Sequence, residues 1–310
     1  MFIINSIAPI FLLIALGKML QKTAFSPESF FKGLNRLVFW FALPALLISK
    51  ISSASLELET ISKIVALLTL ATVLSLTFAW TISRMLKLPA PSTGSFIQGS
   101  FRGNGAFIGL PVIIYTLSDL NPAAGILGTV VLAPVVVLFN LLSVPILIHF
   151  GNKNPDSENP FGTFFLQLIK NPLIASCAVG IALNLLKIEL PLFLFRSLEA
   201  LGKAALPLIL ISIGASLKFE KIKGAASPSL IASLIKVVIT PTIGFLCASL
   251  FDLTTAEKMI AIFYLAAPAA GMSYVMADVM GNDATLAGRI IALSTLISAI
   301  TLPIIIAVGL

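Results

Sequence analysis

Histidine occurs once and cysteine twice in 310 residues, and only 11% of the chain is charged. Each scarcity excludes something. The lone His149 cannot by itself hold a metal, and two cysteines make neither a disulfide framework nor a zinc site. Cys177 and Cys247 both fall inside apolar runs, where free thiols act as small hydrophobes. No HExxH, P-loop or CxxC pattern is present to supply hydrolytic, nucleotide or redox chemistry. Intramembrane proteolysis would need a zinc motif, paired aspartates or a serine with a base. Asp278 is the only aspartate inside an apolar run, and His149 is remote from any candidate nucleophile. These absences argue against an enzyme, and no cofactor or metal is expected.

The shortage of charge also fixes the solvent. A soluble domain carries roughly 25% charged residues. With 11% charged and 58% hydrophobic residues, no water-facing surface of ordinary kind can be built. Crossing the hydrocarbon core takes about 20 apolar residues, and such runs alternate with short polar stretches from end to end. Spans are expected at 3–20, 33–51, 61–83, 94–118, 123–149, 166–186, 192–214, 226–250, 257–280 and 284–309. They make one membrane domain. Its longest polar stretch, Gly151 to Pro160, contains Pro155 and Pro160 and reads as a hinge between halves. No basic residue precedes the first run, and Lys18, Lys22 and Lys32 follow it, the reverse of a signal peptide's charge order.

Positive loops stay cytoplasmic. Loops and span ends after the odd-numbered spans hold Lys18, Lys22, Lys32, Arg36, Arg84, Lys87, Lys153, Lys170, Lys218, Lys221, Lys223 and Arg289, twelve in all. The other set holds five, Lys50, Lys63, Lys187, Arg196 and Lys258. The bias puts both termini outside. It also accounts for the net charge of +7, so nucleic-acid binding is not expected.

An offset of 163 residues exposes an internal repeat. Pro9 falls on Pro172, Ala15 on Ala178, Gly17 on Gly180, Leu20 on Leu183 and Phe30 on Phe193. Ala42-Leu43-Pro44 falls on Ala205-Leu206-Pro207, and Ile48-Ser49 on Ile211-Ser212. Proline and glycine carry backbone geometry, so their shared placement outweighs matches among leucines. The copies, residues 1–150 and 164–310, hold five spans each, and an odd number inverts the second copy in the membrane. Inverted repeats place a substrate site near the midplane, on helices broken there.

Two spans carry such breaks. Span four contains Arg102-Gly103-Asn104-Gly105 followed by Gly109-Leu110-Pro111, and span nine contains Ala266-Ala267-Pro268-Ala269-Ala270-Gly271. Glycine interrupts a helix by entropy and proline by a missing donor. At the same offset Gly105 meets Pro268. Half-helices beginning near Gly105 and Ala269 would aim N-terminal amides at the centre and favour an anion. Arg102 lies one turn from the break and Lys236 near the middle of span eight. A charge at a helix centre costs about 2.5–3.5 kcal/mol on insertion scales, so two cations there call for an anionic partner or a water-filled cavity. Asn104 is read either as a ligand contact or as a cap of the second half-helix, and Arg102 either as a ligand contact or as snorkelling to the cytoplasmic face. Lys236 would steady the opposed helix ends by its charge, and Asp278 is a candidate for proton coupling. Glu199 and Lys203 stand at i and i+4 in span seven, in the order that favours an internal ion pair. Pro44, Pro134, Pro145, Pro207, Pro241 and Pro303 read as structural kinks.

Asn104-Gly105-Ala106-Phe107-Ile108-Gly109-Leu110-Pro111 resembles the span-four signature of the auxin efflux carrier family, which includes bacterial malonate-transporter-like proteins. Lys170-Asn171-Pro172-Leu173-Ile174 and Ser294-Thr295-Leu296-Ile297-Ser298 with Leu302-Pro303 resemble the same family. The resemblance implies an architecture related to the bile acid sodium symporters. Spans one, two, six and seven would form a scaffold, which could pair with a second copy. Spans three to five and eight to ten would form a mobile transport domain whose helices four and nine cross at the substrate. It also implies that Asn104 contacts a substrate carboxylate and that Pro268 is the span-nine crossover proline. Beside Pro268 stand Ala266 and Ala267 rather than an asparagine, a departure from an auxin-like site.

The expectation is an all-α integral membrane protein of ten helices. It would move a small organic anion across the plasma (inner) membrane by alternating access of elevator type. The residues assigned to the substrate are Arg102, Asn104, Gly105, Ala267, Pro268 and Gly271, with Gly103 and Pro111 shaping the crossover. An anion channel or a membrane sensor could use the same broken-helix centre.

Overall fold

Proline and glycine set where the helices of this chain bend, widen and stop. The computed structural model describes residues 2–23, 27–54, 57–118, 120–152, 170–216 and 227–310. In chain order the helices are α1 (Phe2–Gln21), α2 (Glu28–Leu37), α3 (Leu43–Ser52), α4 (Leu58–Met85), α5 (Ala90–Phe101), α6 (Leu110–Leu117), α7 (Pro122–Phe150), α8 (Pro172–Leu185), α9 (Leu192–Ser216), α10 (Ser227–Leu234), α11 (Thr240–Ala248), α12 (Thr255–Ala266), α13 (Met272–Val279) and α14 (Ala284–Gly309). Most of the Gly151 to Pro160 hinge, with Lys153, Lys218, Lys221, Lys223 and residues 166–169 of the sixth expected span, lies outside the described residues.

Among the described residues, six helical segments are long and apolar enough to cross a membrane: Ser29–Ser52, Leu58–Met85, Ala123–Phe150, Leu192–Ser216, Ser227–Ala248 and Ala284–Gly309. Ala8–Gln21, Gly105–Leu117 and Pro172–Leu185 are shorter apolar helices. Large apolar side chains such as Leu12, Phe41, Trp80, Leu246, Leu250, Val279, Ile304 and Val308 are exposed. Water would not tolerate that surface, whereas lipid solvates it. The fourth and ninth expected spans do not appear among the six because each is interrupted, so that neither half reaches membrane length.

Three wide helical turns share one cause. Val38–Ala42, Gly105–Gly109 and Ile235–Ile239 are π-helical, and each ends two residues before a proline, Pro44, Pro111 and Pro241 respectively. A proline ring clashes with the carbonyl four residues back and cannot bond to it. Widening the turn moves that carbonyl aside and lets the helix continue. Pro134, Pro145, Pro207 and Pro303 instead lie inside α7, α9 and α14.

The chain divides into two compact units. The first gathers Met1–Ile61, Leu110–Ala133 and Leu166–Leu217; the second gathers Ser62–Gly109, Pro134–Phe165 and Lys218–Leu310. In the first, α1 packs on α9 and α3 on both α8 and α9. Backbones touch at these crossings. A methyl group on Gly17 would lie 1.8 Å from the Ile211 carbonyl oxygen, and one on Gly214 would lie 1.8 Å from that of Ile14. On the other side, a methyl on Gly180 would fall 2.9 Å from Ile51 Cβ and one on Gly202 2.8 Å from Leu46 Cα. The Asn184 amide then closes the end of α3, donating to the carbonyls of Ile51, Ser52 and Ala54 at 3.1, 3.1 and 2.7 Å. Those are carbonyls a helix terminus leaves without partners.

In the second unit α14 packs against α5, α10, α12 and α13. Capping defines the segments that follow. Thr254 and Glu257 form a reciprocal capping box at the start of α12. Asp283 caps α14 by accepting from Leu286 N–H at 2.9 Å and also accepts from Ser92 at 2.9 Å. Gly281, at φ +68°, makes the left-handed turn before it.

Candidate functional site

Both interrupted spans stop at the same place in the second unit. Helix α5 ends at Phe101 and the chain reopens at Gly105; α12 ends at Ala266 and the chain reopens at Met272. The two non-helical strips of backbone pair as an antiparallel bridge, Gly103 against Ala269. Asn104 N–H donates to the Pro268 carbonyl at 2.7 Å, and Ala270 N–H donates to the Arg102 carbonyl at 3.1 Å. Lipid offers no partners, so irregular backbone at this depth must satisfy itself within protein. The bridge does so without a sheet. It also sets a register: Arg102 faces Ala270, Gly103 faces Ala269 and Asn104 faces Pro268.

The small residues are explained by one neighbour. A methyl on Gly103 would sit 2.9 Å from the Tyr264 carbonyl oxygen, and one on Gly109 would sit 3.0 Å from the Tyr264 ring. Tyr264 is fully buried. Pro268, Ala267, Ala269 and Gly105 are buried with it, while Gly271 is exposed and a methyl there would meet open space. The Ala269 N–H, left over by the bridge, donates to Ser294 Oγ of α14 at 3.0 Å.

Two cations belong to the same unit. The Lys236 side chain is wholly buried, and its ammonium donates to the carbonyl of Leu265, in the last turn of α12. Arg102 is buried too, and its guanidinium donates to the Met276 sulfur at 2.9 Å. The Gln98 amide approaches that sulfur at 3.7 Å. Among the described residues no carboxylate pairs with either cation. A thioether is a weak acceptor, and buried charges are ordinarily paired. Arg102 is therefore turned inward toward α13, not extended to a membrane face.

Asn104 is half-buried. Its carbonyl receives the N–H groups of Ile108 and Gly109 at 3.0 and 3.1 Å. Its side-chain amide makes no bond to a described residue, so it does not act as a side-chain cap there.

Other expected residues stand apart. Asp278 is exposed near the end of α13, two turns beyond Gly271. Pro111 begins α6, beyond the wide turn. Glu199 and Lys203 pair at 3.0 Å in the first unit. Sequence reasoning missed Met276, Tyr264 and the Ser294 hydroxyl as members of the site. Ser294 stood inside a recognised motif but with no chemistry attached. A methionine and a tyrosine in apolar helices carry no signal at all.

The sequence profile of a family described as "Membrane transport protein" matches residues 2–306. An uncharacterized transporter of Methanocaldococcus jannaschii is 28% identical, over 89% of this chain and 88% of its own length. An uncharacterized transporter of Methanothermobacter thermautotrophicus is 24% identical over 97% and 96%. A Rhizobium meliloti protein named "Putative malonate transporter" is 24% identical over 95% and 92%.

Proposed function

Because the chain belongs to this membrane transport protein family, that of the auxin efflux carriers, we propose that it carries a small organic anion, a mono- or dicarboxylate, by alternating access. It is a multi-pass membrane transporter, not an enzyme. The reading of its cargo rests on one observation, the buried guanidinium of Arg102, held by a methionine sulfur beside the bridge that joins the two helix breaks.

Charge bookkeeping gives the sign. A helix end carries roughly half an elementary charge, positive at the N-terminus and negative at the C-terminus. The C-terminal ends of α5 and α12 together present about −1, which the single charge of Lys236 balances. The restarts at Gly105 and Met272 together present about +1, and Arg102 adds its own charge with only a sulfur for company. That surplus is what a carboxylate neutralises. Asn104 supplies a free amide next to it, and Gly105, Ala267, Pro268 and Gly271 shape the backbone around it.

An elevator-type motion is supported by the division of the chain. Arg102, Asn104, Lys236, Ala269, Met276 and Ser294 all belong to the second unit, so a bound anion could move with one body. The first unit, with α1, α2, α3, α8 and α9, would be the scaffold; it also takes in Leu110–Ala133, that is α6 and the first part of α7, which the resemblance assigns to the mobile helices. Two inverted repeats are supported by contacts that recur at one offset. Gly17 lies against Ile211 and Gly180 against Ile48 and Ile51; adding 163 to Gly17 and Ile48 gives Gly180 and Ile211. The Lys and Arg bias supports a plasma-membrane orientation with both termini outside.

Thermal stabilisation of the purified protein by a panel of mono- and dicarboxylates tests the cargo. A true ligand at a hundredfold excess over its dissociation constant adds about 2.7 kcal/mol. Asn104→Ala should abolish that increment while leaving ligand-free stability nearly unchanged, since its side chain bonds nothing among the described residues. Stabilisation by neutral or cationic solutes alone would end the anion reading. Saturable counterflow, as opposed to single-channel current, distinguishes a carrier from a pore.

A further inference from the structure

Lys236 has no evident role in holding an anion, because its ammonium is turned to the wrong ends of the half-helices. It bonds the Leu265 carbonyl near the C-terminus of α12. Four residues on, the Thr240 hydroxyl shares its one proton between the Ile235 carbonyl at 2.9 Å and the Ser100 carbonyl, near the C-terminus of α5, at 3.2 Å. The Ser75 hydroxyl bonds to the same Thr240 oxygen. One short segment, the wide turn Ile235–Ile239 with the residue after it, thus addresses both truncated helices. Lys236 also reaches the bridge, because a methyl on Gly103 would lie 3.4 Å from its Cε. The carbonyls of Tyr264 and Ala267 line the same spot, 2.9 and 3.3 Å from that methyl position.

Carbonyl oxygens at the C-terminal ends of broken helices are, in secondary transporters generally, the groups that coordinate a coupling cation. Here a covalently attached cation is bonded to one of them, is wholly buried, and has no carboxylate partner among the described residues. We propose that the Lys236 ammonium is a built-in monovalent cation, filling the position that a free sodium or lithium ion would otherwise take. The second unit is then assembled without any dissociable cation, and its movement is not coupled to a sodium gradient. Cutting the tether should turn a fixed cation into an exchangeable one.

The test needs no substrate and so stands or falls separately from the identity of the anion. Melting of the purified protein is followed in sodium, lithium, potassium or N-methylglucamine chloride at matched ionic strength. The unaltered protein should melt at one temperature in all four. Lys236→Ala, which opens space beside the carbonyls, should melt early in N-methylglucamine and recover by about 2 to 4 °C, saturably, in sodium or lithium. Lys236→Met fills the space without charge and should melt early in every salt. Saturable stabilisation of the unaltered protein by sodium would overturn the proposal. A Lys236→Ala protein that no cation improves, or that no cation allows to be recovered from membranes, would overturn it equally.

Discussion

The two units are made of the same kinds of helix yet hold together by different physics. Among the described residues, seventeen of the buried polar or charged side chains belong to the second unit and five, Ser49, Thr116, Thr129, Ser176 and Ser212, to the first. Both buried cations are in the second. The first is joined by backbones in contact at Gly17, Gly180, Gly202 and Gly214. In lipid no hydrophobic force pulls helices together, and small residues that let backbones meet supply dispersion instead. Close contact of that kind has one arrangement. A polar interior has several, because its donors can be handed from protein to ligand, and Arg102, on a methionine sulfur, is placed to make that exchange.

The comparison breaks most severely in the first unit. Gly17→Val or Gly214→Val puts a methyl 1.8 Å from a carbonyl oxygen of the facing helix. No rotamer relieves a backbone clash, so the helices must separate. Overpacking commonly costs 1–3 kcal/mol, and a backbone collision lies at or above about 3 kcal/mol. The expected result is loss of monodisperse protein, read by size-exclusion profile and melting temperature. Gly271→Ala in the second unit, where the methyl meets open space, should melt like the unaltered protein.

Arg102→Gln comes next and should separate function from stability. A hydrogen bond to a charged group is worth about 1.5–3 kcal/mol, so carboxylate affinity should fall by roughly ten- to a hundredfold. Ligand-free stability should hold or rise, because a buried cation without a carboxylate partner has been removed. A variant that melts early and still binds carboxylates normally would mean that Arg102 supports structure only.

How much of this was legible in the chain follows from the same physics. Glycine and proline mark the breaks at Gly103–Gly105 and at Pro268 because they act through the backbone, which is local. The register of the bridge is not local. It depends on where two non-helical strips meet, and Ala269 carries nothing that names Gly103 as its partner; the offset of 163 relates equivalent positions of the two repeats and does not say which residues touch. Pro44 and Pro241 read only as kinks and Pro111 as part of the span-four break, since sequence shows the proline but not the wide turn by which the helix avoids it. The charges of Arg102 and Lys236 were visible, whereas Met276 and Leu265, which receive them, look like any other apolar residues.

Ser294→Ala should have a smaller effect. The hydroxyl accepts the Ala269 N–H at 3.0 Å and donates to Ile291 carbonyl at 3.2 Å. Its loss orphans a buried backbone donor, an expected destabilisation of about 1–3 kcal/mol, toward the low end if water enters. Binding should weaken in parallel, because Ala269 sits in the bridge. Ser212→Ala in the first unit is the matched control. Its hydroxyl reaches the Phe31 carbonyl at only 3.4 Å, so removing it should shift melting little.

The smallest effect is expected at the Glu199–Lys203 pair, and it bears on what the first unit faces. The side chains are 38% and 71% exposed and 3.0 Å apart, near the middle of a helix long enough to span the membrane. Lipid contact would cost about 2.5–3.5 kcal/mol for a lysine at that depth. An i to i+4 pair in water contributes about 0.3–0.5 kcal/mol. A double-mutant cycle with Glu199→Gln and Lys203→Gln should therefore return a coupling of about 0.5 kcal/mol or less if this stretch of α9 borders water. Lys203→Cys should then react with a membrane-impermeant thiol reagent. A coupling several times larger, with an unreactive cysteine, would place the pair against hydrocarbon and make its neutralisation a condition of insertion.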